Sequence, residues 1–310
     1  GSYEPQRITF ASGDRVTFDR VLIGEVWFAG GQSNMEMPLG GFWQCPVTDA
    51  NEIIARADAK SGKLHYVKIP HAAAYTPQDR TAGSWTPCTT ATAAKFTAAG
   101  YFFAEMLNDV LGVPVGIIDC SWGGSRVESW MSREVLSGYS DIDLTEEGIS
   151  RVAQHLRPMV MYNAMLRPVA GYTVRGFLWY QGESNVGRYM DYAARLADMV
   201  SLWRGLWGRD DLPFYYVEIA PFEYGNGKSP YLREAQCRAQ ELIPNSGMIC
   251  TNDLVEPYEF CNVHPKNKRD VGYRLAFMAL NKTYGMKEIA CQSPQYESME
   301  IRDGKARIRF

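Results

Sequence analysis

The sequence predicts an α/β protein, a three-layer α/β/α sandwich built on a central parallel sheet of five strands. Two observations lead to this fold class. Five short apolar runs alternate along the chain with longer segments of helical character, which is the pattern of βαβ units. Each run is apolar almost throughout rather than at every second residue, as expected for strands that helices cover on both faces.

The predicted elements follow one another from residue 21 to residue 284. The strands are 21–29, 115–119, 174–180, 213–220 and 248–252. The helices are 96–111, 149–166, 190–206, 231–243 and 267–284. Gly112 and Pro114 end the first helix and Pro168 ends the second, because glycine favours helix C-termini and proline cannot continue a helix.

The two ends of the chain fall outside this alternation. Residues 1–20 are predicted to form a β segment that leads into the first strand, and 21–290 to form the main domain. Residues 291–310 alternate like the two strands of a hairpin around Asp303-Gly304. We expect them to be the start of a truncated β module.

Composition narrows the function classes. The chain has 310 residues, of which 46% are hydrophobic, so it can bury a large core. A net charge of −3 gives no basis for expecting a nucleic acid or an anionic membrane surface as partner. No apolar run approaches the roughly 20 residues of a membrane-spanning helix.

The seven cysteines are scattered and include no CxxC pair, which argues against a zinc ribbon. One or two disulfides are compatible with an exported protein. Gly1-Ser2 resembles the remnant of a tag, so we expect that a signal peptide was removed and that the protein is periplasmic or extracellular.

The turn after the first strand holds the first candidate functional residue, Ser33, in the segment GGQSN at 30–34. Ligands of parallel sheets bind outside the carboxyl ends of the strands. A serine there can expose its hydroxyl, and the backbone N–H groups of a glycine turn can face an oxyanion. The structural alternative is a loop serine or a helix N-cap. The G-x-S-x-G elbow of α/β-hydrolases does not fit, because Met35 stands at its last position.

A serine nucleophile needs a base. The four histidines, at positions 65, 71, 155 and 264, form no HExxH motif or His-Cys cluster, so no metal site is expected. His264 lies between the last strand and the last helix, at the same edge of the sheet as the serine, and Pro265 stiffens its backbone. His155 falls inside a predicted helix and reads as structural, and His71 is a weaker alternative.

Two further turns at this edge offer hydrogen-bond donors. The turn 121–125 follows the second strand, and its glycines allow backbone N–H groups to approach a substrate closely. After the third strand, Gln181 and Asn185 carry amide groups that can donate to a carbonyl oxygen. Each turn alone reads as a plain loop, but together with the serine and the histidine they favour an enzyme.

Four motifs resemble those of the sialate O-acetylesterase family, within the SGNH hydrolase superfamily. They are GQSNMEMP at 31–38, GGS at 123–125, WYQGESN at 179–185 and HPKNK at 264–268. The resemblance runs in order from about residue 21 to residue 284. It implies a flavodoxin-like three-layer fold and hydrolysis of O-acetyl esters on sugars without a cofactor.

The same resemblance implies roles for individual residues. Ser33 would be the nucleophile and His264 the base. The oxyanion hole would be formed by Ser33, Gly124 or its neighbour Gly123, Gln181 and Asn185.

One departure concerns the residue that orients the histidine. Many SGNH enzymes carry an aspartate two or three residues before the catalytic histidine, where this chain has Asn262 and Cys261. The orienting group would then be Asn262, a backbone carbonyl, or a more distant acid such as Asp253 or Glu183. We expect a Ser-His dyad with Asn262 or the main chain as the orienter.

The expected substrate is an acetylated sugar, with O-acetylated sialic acid first and acetylated xylan or another hemicellulose as the alternative. A catalytically silent sugar-binding domain is the competing function class. Arg126 could pair with a substrate carboxylate, although a salt bridge to Glu128 or Glu105 would explain it equally well. Trp122 and Tyr180 could stack on a sugar ring, although aromatic residues near strand ends usually pack in the core. The oligomeric state cannot be read from the sequence.

Overall fold

The structure is a computed structural model that describes residues 1–225 and 227–310. Its strands are β1 Ser2–Ser12, β2 Asp14–Ile23, β3 Glu25–Gly31, β4 Leu64–Lys68, β5 Thr86–Pro87, β6 Val115–Ser121, β7 Gly176–Tyr180, β8 Phe214–Val217, β9 Ser246–Ile249, β10 Ser298–Arg302 and β11 Lys305–Arg309. Its α-helices are α1 Ser33–Glu36, α2 Ala50–Ala55, α3 Ala98–Leu111, α4 Arg133–Leu136, α5 Glu146–Ser150, α6 Tyr192–Trp207, α7 Ser229–Leu242 and α8 Arg269–Lys282.

The central layer is a seven-stranded sheet in the order β5-β4-β6-β3-β7-β8-β9. All neighbours are parallel except β4 and β5, which pair antiparallel. The predicted α/β/α sandwich is confirmed, and each of the five predicted strands overlaps one strand of this sheet. The sheet has two more strands than predicted, β4 and β5.

Helices cover both faces of the sheet. Helices α3 and α8 pack together on one face, and α6 and α7 pack on the other. Trp27 and Phe28 are successive residues of β3, so their side chains point to opposite faces and enter the two separate cores. Both are completely buried, which explains why the strands read as continuous apolar runs.

The strand order reverses at β3. On one side of β3 lie β6 and β4, and on the other side lie β7, β8 and β9. A crevice outside the carboxyl ends of the strands forms at such a switch point, and ligands of open α/β sheets bind there. The turn after β3, which contains Ser33, therefore occupies the position where this fold class places its ligands.

The predicted helix 149–166 is wrong. The segment instead contains the end of α5, a 3-10 turn at Gln154–Leu156 and a π-helical turn at Tyr162–Leu166. Pro158 interrupts it because proline lacks an N–H donor, and Met159 beside it has a φ of 60°. His155 consequently lies in an irregular segment rather than on the face of a helix.

The two ends of the chain form antiparallel hairpins. Strands β1 and β2 pair with each other, and β10 and β11 pair around Asp303-Gly304, as expected for a hairpin at that position. Nearly all their residues are exposed. Among the described residues, no helix is long and apolar enough to cross a membrane.

Candidate active site

Ser33 is the first residue of α1, directly after the central strand. Gly31 has a φ of 137°, and a Cβ atom on it would lie 2.2 Å from the carbonyl oxygen of Tyr180. Only glycine fits this turn, which brings the start of α1 against the end of β7. The N–H of a first helical residue has no partner within its helix. In Ser33 it makes no hydrogen bond to the described part of the chain.

Asn34 connects the serine turn to the loop that carries His264. Its buried amide nitrogen donates to the carbonyl oxygen of Val263 at 2.9 Å and to Glu183 Oε1 at 2.7 Å. Val263 immediately precedes His264. The residue after the candidate nucleophile is therefore bonded to the residue before the candidate base, which holds the two segments together at one edge of the sheet.

His264 is partly buried in this loop. Its backbone N–H donates to Asn262 Oδ1 at 2.9 Å, and its ring lies edge-on to Phe42 with 5.2 Å between the ring centroids. Burial lowers the pKa of His264, and the positive charge of Lys268 lowers it further. The imidazole is therefore neutral at neutral pH, as a proton acceptor must be.

The three candidate orienters of His264 have other partners. The Asp253 carboxylate pairs with Arg274, with 2.8 Å between Oδ1 and Nη1. Glu183 accepts from Asn34, and the side chain of Asn262 binds the backbone of His264 rather than its ring. Asn262 thus holds the loop conformation, and none of these contacts involves the imidazole.

The glycine turn after β6 lies against the serine. A Cβ atom on Gly123 would be 3.4 Å from Ser33 Cβ. The N–H of Gly123 donates to Glu36 Oε2 at 2.6 Å. The N–H of Gly124 bonds to no other residue in the described ranges. The turn that packs against the candidate nucleophile therefore contains one amide without a partner, that of Gly124.

Gln181 and Asn185 do not occupy the positions predicted for oxyanion donors. Both side chains are fully buried. The amide nitrogen of Gln181 donates to the carbonyl oxygen of Ser125 at 3.0 Å and to Asn185 Oδ1 at 2.8 Å. The amide nitrogen of Asn185 donates to Glu128 Oε2 at 2.9 Å. Both hydrogens of the Gln181 side-chain amide are thus used within the protein. Their hydrogen bonds connect the glycine turn after β6 to the turn after β7.

The predicted substrate-binding residues differ in their exposure. Tyr180 is 1% exposed and lies beneath Lys268, so it cannot stack on a sugar. Trp122 is partly exposed, and its ring stacks on His71 with 4.4 Å between the centroids.

Arg126 lines a cleft beside the glycine turn, and its buried Nε has no hydrogen-bond partner. The alternative salt bridge to Glu128 is not formed, because Glu128 pairs with Arg195 at 2.5 Å and with Arg188 at 3.5 Å. The Arg126 guanidinium is thus left without an ion-pair partner in the described part of the chain.

A buried charged network below the site was missed from the sequence. Lys268 Nζ donates to Asn34 Oδ1 at 2.7 Å, and burial lowers the pKa of Lys268 to about 7 despite the nearby carboxylate of Glu183. Burial also raises the pKa of Glu183, whose Oε2 has no hydrogen-bond partner. Asn34, Glu183 and Lys268 each lie inside one of the four motifs. Membership in these motifs is the one sequence feature that points to them.

His155, which the sequence predicts to be structural, lies beside the glycine turn. The φ of Gly124 is 75°, and a Cβ atom there would lie 2.9 Å from Cδ2 of the His155 ring. The imidazole therefore covers the outer side of the glycine turn. No sequence pattern connects these two residues, because Pro158 and the irregular segment around it create the contact.

The seven cysteines are all free in the structure, so the one or two disulfides considered for an exported protein are not formed. No group of three or more His, Cys, Asp or Glu side chains in the described ranges is arranged to hold a metal ion.

Several curated proteins and solved structures resemble the chain. The sialate O-acetylesterase of Mus musculus is 27% identical over 91% of this chain and 60% of its own length, and that of Homo sapiens is 27% identical over 91% and 57%. The chain thus spans about 60% of the length of these relatives. A carbohydrate acetylesterase from Xanthomonas citri superposes with a TM-score of 0.85 at 34% identity, covering 98% of this chain and 66% of that one.

A more distant Arabidopsis thaliana protein, 18% identical with a TM-score of 0.52, covers 86% of this chain and 100% of its own, and shares the fold alone. The family model for the carbohydrate esterase, sialic acid-specific acetylesterase group matches residues 23–281, which is most of the chain. The chain therefore belongs to the family of sialic acid-specific carbohydrate acetylesterases.

Proposed function

We propose that this protein is a serine esterase that hydrolyses O-acetyl esters on carbohydrate, with O-acetylated sialic acid as the substrate, through a Ser33–His264 dyad. The observation that carries the proposal is the arrangement around Ser33. Its own N–H and that of Gly124 are both unused, and Asn34 bonds the serine helix to the His264 loop. These contacts support an assignment in which nucleophile, base and oxyanion donors share the switch point of the sheet.

The reaction proceeds in two steps of acyl transfer. His264 accepts the proton of Ser33 as the serine oxygen attacks the acetyl carbonyl, and the resulting oxyanion accepts hydrogen bonds from Ser33 and Gly124 N–H. The tetrahedral intermediate collapses, and the sugar hydroxyl leaves with the proton from His264. Water, deprotonated by His264, then attacks the acetyl-serine, and acetate leaves as the serine recovers its proton.

The unpaired side chain of Arg126 favours sialic acid over a neutral sugar. Arg126 lies two residues after Gly124 and has no ion-pair partner in the described part of the chain; the cleft that it lines also contains Arg188 and the carboxylates of Glu128, Asp141 and Asp143. Arg188 is already engaged, at 3.0 Å from Asp141 Oδ2. The free guanidinium suits the carboxylate of sialic acid, to which arginine can donate two parallel hydrogen bonds. Acetylated xylan offers no such group.

Two measurements test this function. The protein should release acetate from an aryl acetate, and Ser33→Ala should abolish release. Retained binding of a sugar without any release would identify a silent sugar-binding domain instead. On O-acetylated sialic acid, Arg126→Gln should raise KM at least tenfold while leaving KM for the aryl acetate unchanged. Faster turnover of acetylated xylan than of acetylated sialic acid would contradict the choice of substrate.

The proposal extends to the organisation of the chain and to its location. Residues 21–290 form the catalytic domain, and the exposed hairpin β10–β11 begins a β module, which limited proteolysis between 285 and 297 would separate with esterase activity retained. The protein acts outside the cytoplasm, where glycans carry acetyl esters. Fractionation of source cells with an antibody to this chain tests that location.

A further inference from the structure

Helix α1 carries a second functional group besides the nucleophile. Glu36 is its last residue, and its two carboxylate oxygens have separate partners. Oε2 accepts the N–H of Gly123 at 2.6 Å, and Oε1 accepts from His71 Nε2 at 2.8 Å. Lys68 Nζ lies 3.5 Å from Oε1. The carboxylate is therefore fixed between the glycine turn and two basic side chains.

Glu36 is held in its ionised form. Burial raises its pKa, but the hydrogen bond and charge of His71 and the charge of Lys68 outweigh burial, so the pKa lies below the ordinary value. At neutral pH the bond from Gly123 is thus an N–H to a carboxylate. Such charge-assisted bonds are short and about twice as strong as neutral ones.

The other hydrogen bonds of the turn identify the amide that remains. The N–H of Trp122 donates to the carbonyl oxygen of Gly31 at 3.0 Å, and that of Ser125 donates to Trp122 at 3.2 Å. Glu36 takes the N–H of Gly123. Gly124 alone in the turn keeps an N–H without a partner among the described residues, and its φ of 75° suits glycine.

We propose that Glu36 is a positioning residue that fixes the glycine turn against Ser33, so that Gly124 and not Gly123 donates to the oxyanion. The role rests on the proposed esterase function. Because α1 is only four residues long, the nucleophile at its start and the carboxylate at its end move as one unit. The distance between serine and oxyanion donor is thereby set within a single helical turn.

The test compares two substitutions of similar size. Glu36→Gln keeps an oxygen that can accept the N–H of Gly123, whereas Glu36→Met removes both oxygens and leaves only a weakly accepting sulfur. Glu25→Met is the matched control: Glu25 lies at the opposite end of the adjoining strand β3 and accepts from Tyr284 at 2.7 Å, far from the turn. Turnover of an aryl acetate is measured per active serine, counted by titration with a phosphonate ester, so that loss of folded protein does not count.

We expect Glu36→Met to lower kcat by about 10²-fold with KM changed less than threefold, the loss typical of one oxyanion donor. Glu36→Gln should recover at least tenfold of that loss, and Glu25→Met should keep wild-type kcat. A Met variant within fivefold of wild type, a Gln variant no better than Met, or a loss confined to KM would each overturn the role of Glu36. Absence of Ser33-dependent release by the wild-type protein would refute the esterase function itself.

Discussion

Replacing Asn34 by leucine should break the hydrogen bonds that connect α1, which carries Ser33, to the loop that carries His264. The side chain is buried and makes three hydrogen bonds, to the carbonyl oxygen of Val263, to Glu183 and to Lys268. Bonds to charged groups contribute about 1.5–3 kcal/mol each and a neutral one about 1 kcal/mol. We expect the free energy of unfolding to fall by about 4 kcal/mol or more, because two buried ionisable groups lose a partner.

The assay is urea unfolding, with kcat measured per titrated active serine. A matched control is Asn108→Leu, since Asn108 is also buried and donates to two neutral oxygens, those of Tyr3 and Val113, at 2.7 and 2.8 Å. We expect the control to lose about 1–2 kcal/mol and no kcat. A loss below 1.5 kcal/mol in Asn34→Leu, or unchanged kcat, would refute the link between the two loops.

Three further results are expected. Activity should rise with pH through the lowered pKa of His264, with the midpoint of the rise below about pH 6.5, the ordinary histidine value. Lys268→Met removes a positive charge, so the acid limb of kcat/KM should move to higher pH, and a shift to lower pH would contradict the role of His264 as the base. Asp253→Asn should stay within threefold of wild-type kcat because Asp253 pairs with an arginine, whereas Asn262→Ala should lower kcat at least tenfold; the reverse order would make Asp253 the orienter. Gln181→Ala should lower the free energy of unfolding by about 2–4 kcal/mol, because it leaves buried partners unpaired, while kcat per active serine falls less than tenfold. A large loss of kcat at unchanged stability would restore Gln181 as an oxyanion donor.

The sheet was largely predictable because its strands are buried on both faces. Trp27 and Phe28 enter different cores, and such strands stand out as continuous apolar runs. Strand β4 contains histidine and lysine, and β5 has two residues, so neither gives that signal. The predicted helix 149–166 does not form because Pro158 breaks the segment, although its apolar residues have helical spacing.

The sequence predicts those parts of the candidate site that lie in contiguous motifs, and not the contacts between the motifs. Contiguous motifs at strand ends placed Ser33, the glycine turn and His264 at one edge, because parallel strands share their carboxyl ends. Which groups donate there depends on bonds between distant residues. Glu36 and Gly123 are 87 residues apart, and no periodicity connects them. The sequence predicts Gln181 as an oxyanion donor because it does not reveal that both hydrogens of this amide already have partners within the protein.

The glycine at the end of β3 also determines when the site can form during folding. Gly31 lies so close to Tyr180 that the turn before Ser33 takes its shape only where β3 and β7 are already paired, and these strands are separated by more than a hundred residues. Pairing across such a separation is slow, because the entropy of closing a long loop must be overcome before the contacts form. Esterase activity should therefore return during refolding together with the protection of the central amides from hydrogen exchange. A partly folded chain would retain its helices and hydrolyse nothing.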